Sequence, residues 1–230
     1  MKKHYFTIAS ILFLILALIS CSNEDTKTQN QAASRPSVPV MANEVQIGTQ
    51  VWMTKNLNVS RYRNGDVIPE VNSPTEWANL TTGAWCYYNN ESVNGRIYGK
   101  LYNWYAVNDA RGLAPVGWHI PNDEEWSILT VFLGGVSNSG KLKATILWDS
   151  PNTAATNSTG FTALPAGTLS LSQTTGQWTF FNLQKACYFW CVTEISANAS
   201  WSRGMAYNSS TIFRNQGNKT IGSSVRLIKD

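Results

Sequence analysis

Ten tryptophans lie between Trp52 and Trp201 and none precedes them, and this constrains the fold more than any other feature of the 230-residue chain. Each carries a large apolar body and one N–H donor that needs a partner once buried. The segment holding them must therefore close around bulky, irregularly spaced aromatic units. Charged residues are only 14% of the chain, against roughly 25% in an average soluble protein. Such a chain is too aromatic for a disordered segment and too weakly charged for a coiled coil. The formal net charge is +4, and setting aside Lys2 and Lys3 leaves about +2 with no Lys/Arg cluster. Nucleic acid is not an expected partner, because phosphate-backbone binders concentrate their basic residues.

The first 21 residues, MKKHYFTIASILFLILALISC, read as a leader. Lys2 and Lys3 form a positive start, and Phe6 to Ile19 an apolar stretch shorter than the ~20 residues that span a bilayer as a helix. Leu18-Ile19-Ser20-Cys21 resembles the lipobox of bacterial lipoproteins, which implies a signal peptide over 1–20 and lipidation of Cys21. Several acyl chains on one residue anchor stably where a single chain does not. Ser22 follows the cysteine in place of the aspartate that retains some lipoproteins at the inner membrane, which favours the outer membrane. Glu24 and Asp25 resemble an acidic signal for surface exposure. Residues 21–44 are polar, lack aromatics and contain Pro36 and Pro39, a composition that reads as a tether reaching on the order of 25 Å.

Residues 45–230 read as one α+β domain of short strands and extensive loops. Strands are expected at Val45–Trp52, Ala84–Tyr88, Gly160–Leu164, Gln177–Phe181, Tyr188–Thr193, Trp201–Tyr207, Thr211–Arg214 and Ser223–Ile228. The main helix is expected near 122–134. Asn122 and Glu125 have capping-box spacing, Ile128, Leu129 and Phe132 follow at helical spacing, and Gly134-Gly135 ends the run. Shorter helices are expected at Thr75–Asn79 and Lys141–Thr145.

Six blocks occur in order: Val45–Met53 (VQIGTQVWM), Tyr98–Val107 (YGKLYNWYAV), Gly117–Pro121 (GWHIP), Gly160–Gly167 (GFTALPAG), Phe189-Trp190 with Thr193-Glu194, and Ser224-Val225-Arg226. Together they resemble the Fibrobacter succinogenes major paralogous domain, found in lipoproteins and secreted proteins. The IPNDEEW helix start and the VRLI ending are similar, more distantly, to the formylglycine-generating enzyme superfamily. That kinship implies a C-type-lectin-like α+β fold and fixes no activity. The resemblance also implies a cysteine partner for Cys86 just after the last Val-Arg, where this chain has Leu227.

With Cys21 lipidated, Cys86, Cys187 and Cys191 remain, an odd number for an oxidising compartment. On one strand Cys187 and Cys191 would stand roughly 13 Å apart, beyond disulfide reach. The candidate disulfide is therefore Cys86 with Cys187 or Cys191. No catalytic residue, metal ligand or cofactor is assigned. His119 is the only histidine after the leader, which excludes a multi-histidine zinc site, and its neighbours Trp118 and Ile120 suggest a core position. Asp123, Glu124 and Glu125 are accounted for by helix capping. No P-loop, G-x-S-x-G elbow or EF-hand is present. Asp109, Asp149 and Glu194 stay open as a distant carboxylate pair.

The aromatics remain. Trp104, Trp118, Trp126 and Trp190 sit in or beside the blocks and are expected in the core, whereas Trp148 and Trp178 lie in Asp/Ser/Thr/Gly-rich stretches. Trp148, Trp178, Trp201 and Arg203 are the candidate ligand contacts, with Arg203 available for a carboxylate or a salt bridge. Loops 83–96, 134–158 and 167–185 are the expected recognition surface. These readings converge on an outer-membrane lipoprotein presenting a non-enzymatic binding domain for a glycan or a surface protein. A hydrolase or oxidase on the same fold, or a structural coat protein, are the alternatives.

Overall fold

The computed structural model describes residues 43–230; the leader, Cys21 and nearly all of the expected tether lie outside the described residues. In chain order the elements are β1 (Glu44–Ile47), β2 (Gln50–Met53), α1 (Pro74–Ala78), β3 (Trp85–Cys86), α2 (Ser92–Tyr98), β4 (Leu101–Tyr102), α3 (Trp104–Val107) and β5 (Trp118–His119). They continue with α4 (Asp123–Phe132), β6 (Ala166–Leu171), β7 (Trp178–Leu183), β8 (Ala186–Ser196), β9 (Ala199–Ala206), β10 (Phe213–Asn218) and β11 (Ile228–Lys229). This is a mixed α+β chain, mostly sheet, with few helices. Its strands form a four-stranded sheet in the order β1-β2-β11-β5, a five-stranded sheet in the order β10-β9-β8-β6-β7 and the pair β3-β4.

Local chemistry accounts for the elements. Expected as one strand, Val45–Trp52 is a hairpin, because Gly48 at φ 63° turns the chain between Ile47 and Gln50. Helix α4 carries the full capping box: the Asn122 side chain accepts from the Glu125 N–H at 2.9 Å, and the Glu125 carboxylate accepts from the Asn122 N–H at 2.8 Å. Its core face differs from the expected one. Trp126 and Leu129 are fully buried, while Ile128 and Phe132 face outward. Gly160–Leu164 is not a strand, since Gly160 and Thr162 both take positive φ and break the extension. The expected helix Lys141–Thr145 does not form, and a 3₁₀ turn over Val136–Lys141 ends where it would begin. The expected loop 167–185 is largely the β6–β7 hairpin, and 83–96 contains β3 and the start of α2; only 134–158 remains mostly irregular.

Residues 222–228 join the sheets. Gly222 pairs with Leu169, Ser223 with Tyr102, and Ser224 bonds the backbone of Tyr188 and Trp190. Val225 accepts from Leu57, Leu227 from Met53, and Ile228 pairs with both Trp52 and His119. These bonds run to several different elements, so of the expected strand Ser223–Ile228 only Ile228 belongs to β11. Arg226 lies fully buried within this segment. It donates to the carbonyls of Met53, Phe161 and Thr162 and to Asn56 Oδ1, with its guanidinium 4.4 Å from the Phe161 ring. Burial without a carboxylate pushes its pKa down to about 9, still high enough to keep it charged at neutral pH.

The core comprises three aromatic-rich clusters. Trp104, Trp118 and Trp190 share one with Tyr102 and Leu227; Trp126 stacks on Phe189 at 5.7 Å and contacts Trp52 in the second. The third holds Trp77, Cys86 and Leu169. All four tryptophans expected in the core are buried.

Candidate functional site

The five-stranded sheet has two unlike faces, and the alternation along β8 and β9 creates them. Cys187, Phe189, Cys191 and Met205 belong to the cluster that also holds Trp126 and Leu129 of α4. Tyr188, Trp190 and Ser202, on the alternate positions, border a cavity of about 250 Å³ on the other face. Register brings its lining together: Ser202 lies opposite Trp190 on one side and opposite Asn215 of β10 on the other. Strands β6 and β7 complete the wall with Thr168, Ser170, Phe181 and Asn182, and Ser223 and Ile221 close it from the C-terminal segment.

Fixed contacts shape this cavity. Trp190 is fully buried, and its Nε1–H donates to the Tyr102 carbonyl at 2.9 Å, which immobilises the indole as part of the floor. Two glycines keep the face open. A Cβ at Gly217 would stand 2.9 Å from the Trp190 ring, and one at Gly204 would stand 2.8 Å from the Asn215 amide. Asn182 donates to the Tyr188 hydroxyl at 3.1 Å, and Thr168 donates to the Gly222 carbonyl at 2.8 Å. Among the described residues, the side chains of Ser170, Ser202 and Asn215 make no hydrogen bond with the protein, so their polar atoms are available to a ligand.

No charged side chain lines the cavity. Its one titratable group, Tyr188, is pushed up by burial against a smaller opposing pull from Asn182, and remains a neutral phenol. The hydroxyls have no imidazole, carboxylate or amine beside them to act as a base. The chemistry available is hydrogen bonding by neutral groups against the half-buried rings of Tyr188 and Phe181. A larger groove of about 740 Å³ runs between the β1–β2 turn and α4, but it is wide and bordered mainly by aliphatic and aromatic side chains, among them Ile128, Val131 and Phe132.

The four residues singled out by sequence lie elsewhere. Trp148 packs half-buried on the second cluster, its Nε1–H donating to the Ala163 carbonyl at 3.0 Å. Trp178 packs on the third cluster. Trp201 lies beneath Arg214, whose guanidinium is 3.3 Å from the ring centroid. Arg203 is buried and committed to Asp123 at 2.6 Å, which also binds Arg214. It thus forms the salt bridge and has no free face for a ligand carboxylate. Trp201 and Arg203 occupy the α4-facing side of β9; their neighbour Ser202 points into the cavity. The signal that locates the cavity is therefore polar alternation within late strands, and not an exposed tryptophan.

The candidate disulfide is absent. Cys86, Cys187 and Cys191 are free and buried. Cys86 sits in the third cluster and the other two in the second, behind α4, so no partner is presented to Cys86. Burial raises all three thiols, Cys187 and Cys191 to about 12.

His119 is not a core residue. Its half-exposed ring bridges Asp230 at Nδ1 (2.8 Å) and Glu125 at Nε2 (2.7 Å). Burial opposes its charge, but the two carboxylates outweigh it and hold the imidazole above its ordinary pKa. The three acids left open by sequence do not converge at the cavity. Asp109 is gripped by Arg111 and lowered to about 2, Glu194 pairs with the buried Lys219, and neither these nor Asp149 borders it. Among the described residues, no group of three or more His, Cys, Asp or Glu is placed to hold a metal ion.

Residues 45–229 match the family model described as the Fibrobacter succinogenes major domain. No curated protein and no solved structure matches the chain.

Proposed function

The chain belongs to the Fibrobacter succinogenes major domain family, and from that premise we propose that it is a lipoprotein anchored in the outer membrane through Cys21. A tether over 21–44 presents the domain at 45–230 as a non-enzymatic binding module for a glycan or a surface protein. The observation that carries the binding reading is the sheet-face cavity, with neutral hydrogen-bonding groups and aromatic walls converging where no acid, base or nucleophile pair exists. Small sites of this make-up hold ligands by shape and directed hydrogen bonds. The proposed fold kinship is to the formylglycine-generating enzymes and C-type lectins; short strands around an aromatic core with a single long helix support it.

The test is an array of envelope and host glycans and proteins probed with the full-length chain in detergent. A Ser170→Trp variant, which places an indole at the cavity's half-buried rim, is probed beside it. A ligand bound by the wild type and lost in the variant upholds the reading. Ligands retained equally by both, or no ligand at all, would sink it.

A further inference from the structure

We infer that the ligand of the sheet-face cavity is an uncharged sugar ring, and that sugars bearing a carboxylate are rejected. The inference deepens the binding reading above and rests on it. Three observations carry it. The cavity is small, about 250 Å³, below the range of roughly 300–1,000 Å³ that houses drug-sized ligands, so it admits about one ring. Its unengaged groups, the Ser170 and Ser202 hydroxyls and the Asn215 amide, are neutral and can both donate and accept. Adjacent ring hydroxyls also do both, and they need partners of that kind spread around a ring instead of gathered at one point. Side chains from three strands, β6, β9 and β10, provide that spread.

The third observation is the treatment of charge. This domain buries several cations, yet each is occupied before it can reach the cavity. Arg226 is held by carbonyls and Asn56, Lys219 by Glu194, and Arg203 by Asp123. A sugar carboxylate entering the cavity would lose its water and meet no cation, and an unpaired desolvated ion is strongly disfavoured. An uncharged ring would instead lay its C–H face on Tyr188 or Phe181, half-buried aromatic walls that suit such a face. A wholly apolar ligand is disfavoured for the converse reason, since it would strand the desolvated serine and asparagine groups.

The experiment is saturation-transfer NMR on the full-length chain. Methyl glycosides of glucose, galactose, mannose and N-acetylglucosamine are compared with those of glucuronic acid and N-acetylneuraminic acid. At least one uncharged glycoside is expected to give transfer that disappears in Ser170→Trp and to bind about tenfold more weakly to Asn215→Ala. The acidic glycosides should bind at least tenfold more weakly than the best neutral one. Thermal melting checks that the variants fold. If Ser170→Trp does not, Asn215→Phe blocks the cavity from the β10 rim. Equal or tighter binding of an acidic sugar overturns the inference, as does transfer that survives the blocking variant. If no glycoside binds while the array yields a Ser170-sensitive ligand of another class, the sugar inference falls and the binding site stands. If neither experiment yields a ligand sensitive to the blocking variant, both fall.

Discussion

Asp123 shows how much one carboxylate can organise. It sits in the first turn of α4, complements the helix dipole, and closes bonds to buried Arg203 and exposed Arg214. Removing it leaves a buried guanidinium unpaired, so Asp123→Ala should cost about 3 kcal/mol, whereas Arg214→Ala, at a half-exposed side chain, should cost under about 1 kcal/mol; urea unfolding midpoints distinguish them. Burial raises the Asp123 pKa, but the two arginines outweigh it and hold the group below 3.8. Its contribution is therefore present above that value and fades as pH falls through the folded pKa. The cysteines give a second prediction at this scale. Cys86, Cys187 and Cys191 should resist a thiol reagent in the native protein and yield three thiols per domain on unfolding without reductant. One reactive thiol in place of three would reinstate a disulfide.

His119 links elements through its ring, which joins β5, the capping box of α4 and Asp230 beside β11. Because two carboxylates raise its pKa from 6.5, the stabilisation is complete below that value and lost as pH rises through the folded pKa. His119→Gln should therefore flatten the decline in melting temperature as pH rises above 6.5, and an unchanged profile would contradict the bridge. This contact also marks what a sequence can disclose. Asn122 and Glu125 announce α4 because a capping box is local, and β7, β8 and β9 are legible from their apolar runs. The interrupted segment 222–228 is not, because its partners are scattered from Met53 to Trp190 and no local pattern encodes them. The same holds for the place of Ser202 between Trp201 and Arg203. Which side of β9 faces α4 depends on pairing with β8 and β10, and one residue of register decides it.

For the whole molecule, aromatic mass substitutes for regular structure. Three clusters built around tryptophans, stitched by residues 222–228, support a sheet whose free face carries the cavity. The proposed anchor at Cys21 gives that face a setting at the envelope. Protease added to intact cells should remove the domain if it faces outward, and protection until lysis would place its ligand in the periplasm. The central claim is that ligand enters the sheet-face cavity, and amide chemical-shift mapping tests it most directly. On titrating the strongest array ligand into labelled full-length chain, shifts should centre on Tyr188, Ser202, Gly204, Asn215 and Gly217. Shifts centred instead on Trp148 and Trp178, or on the outer side of α4, would contradict it.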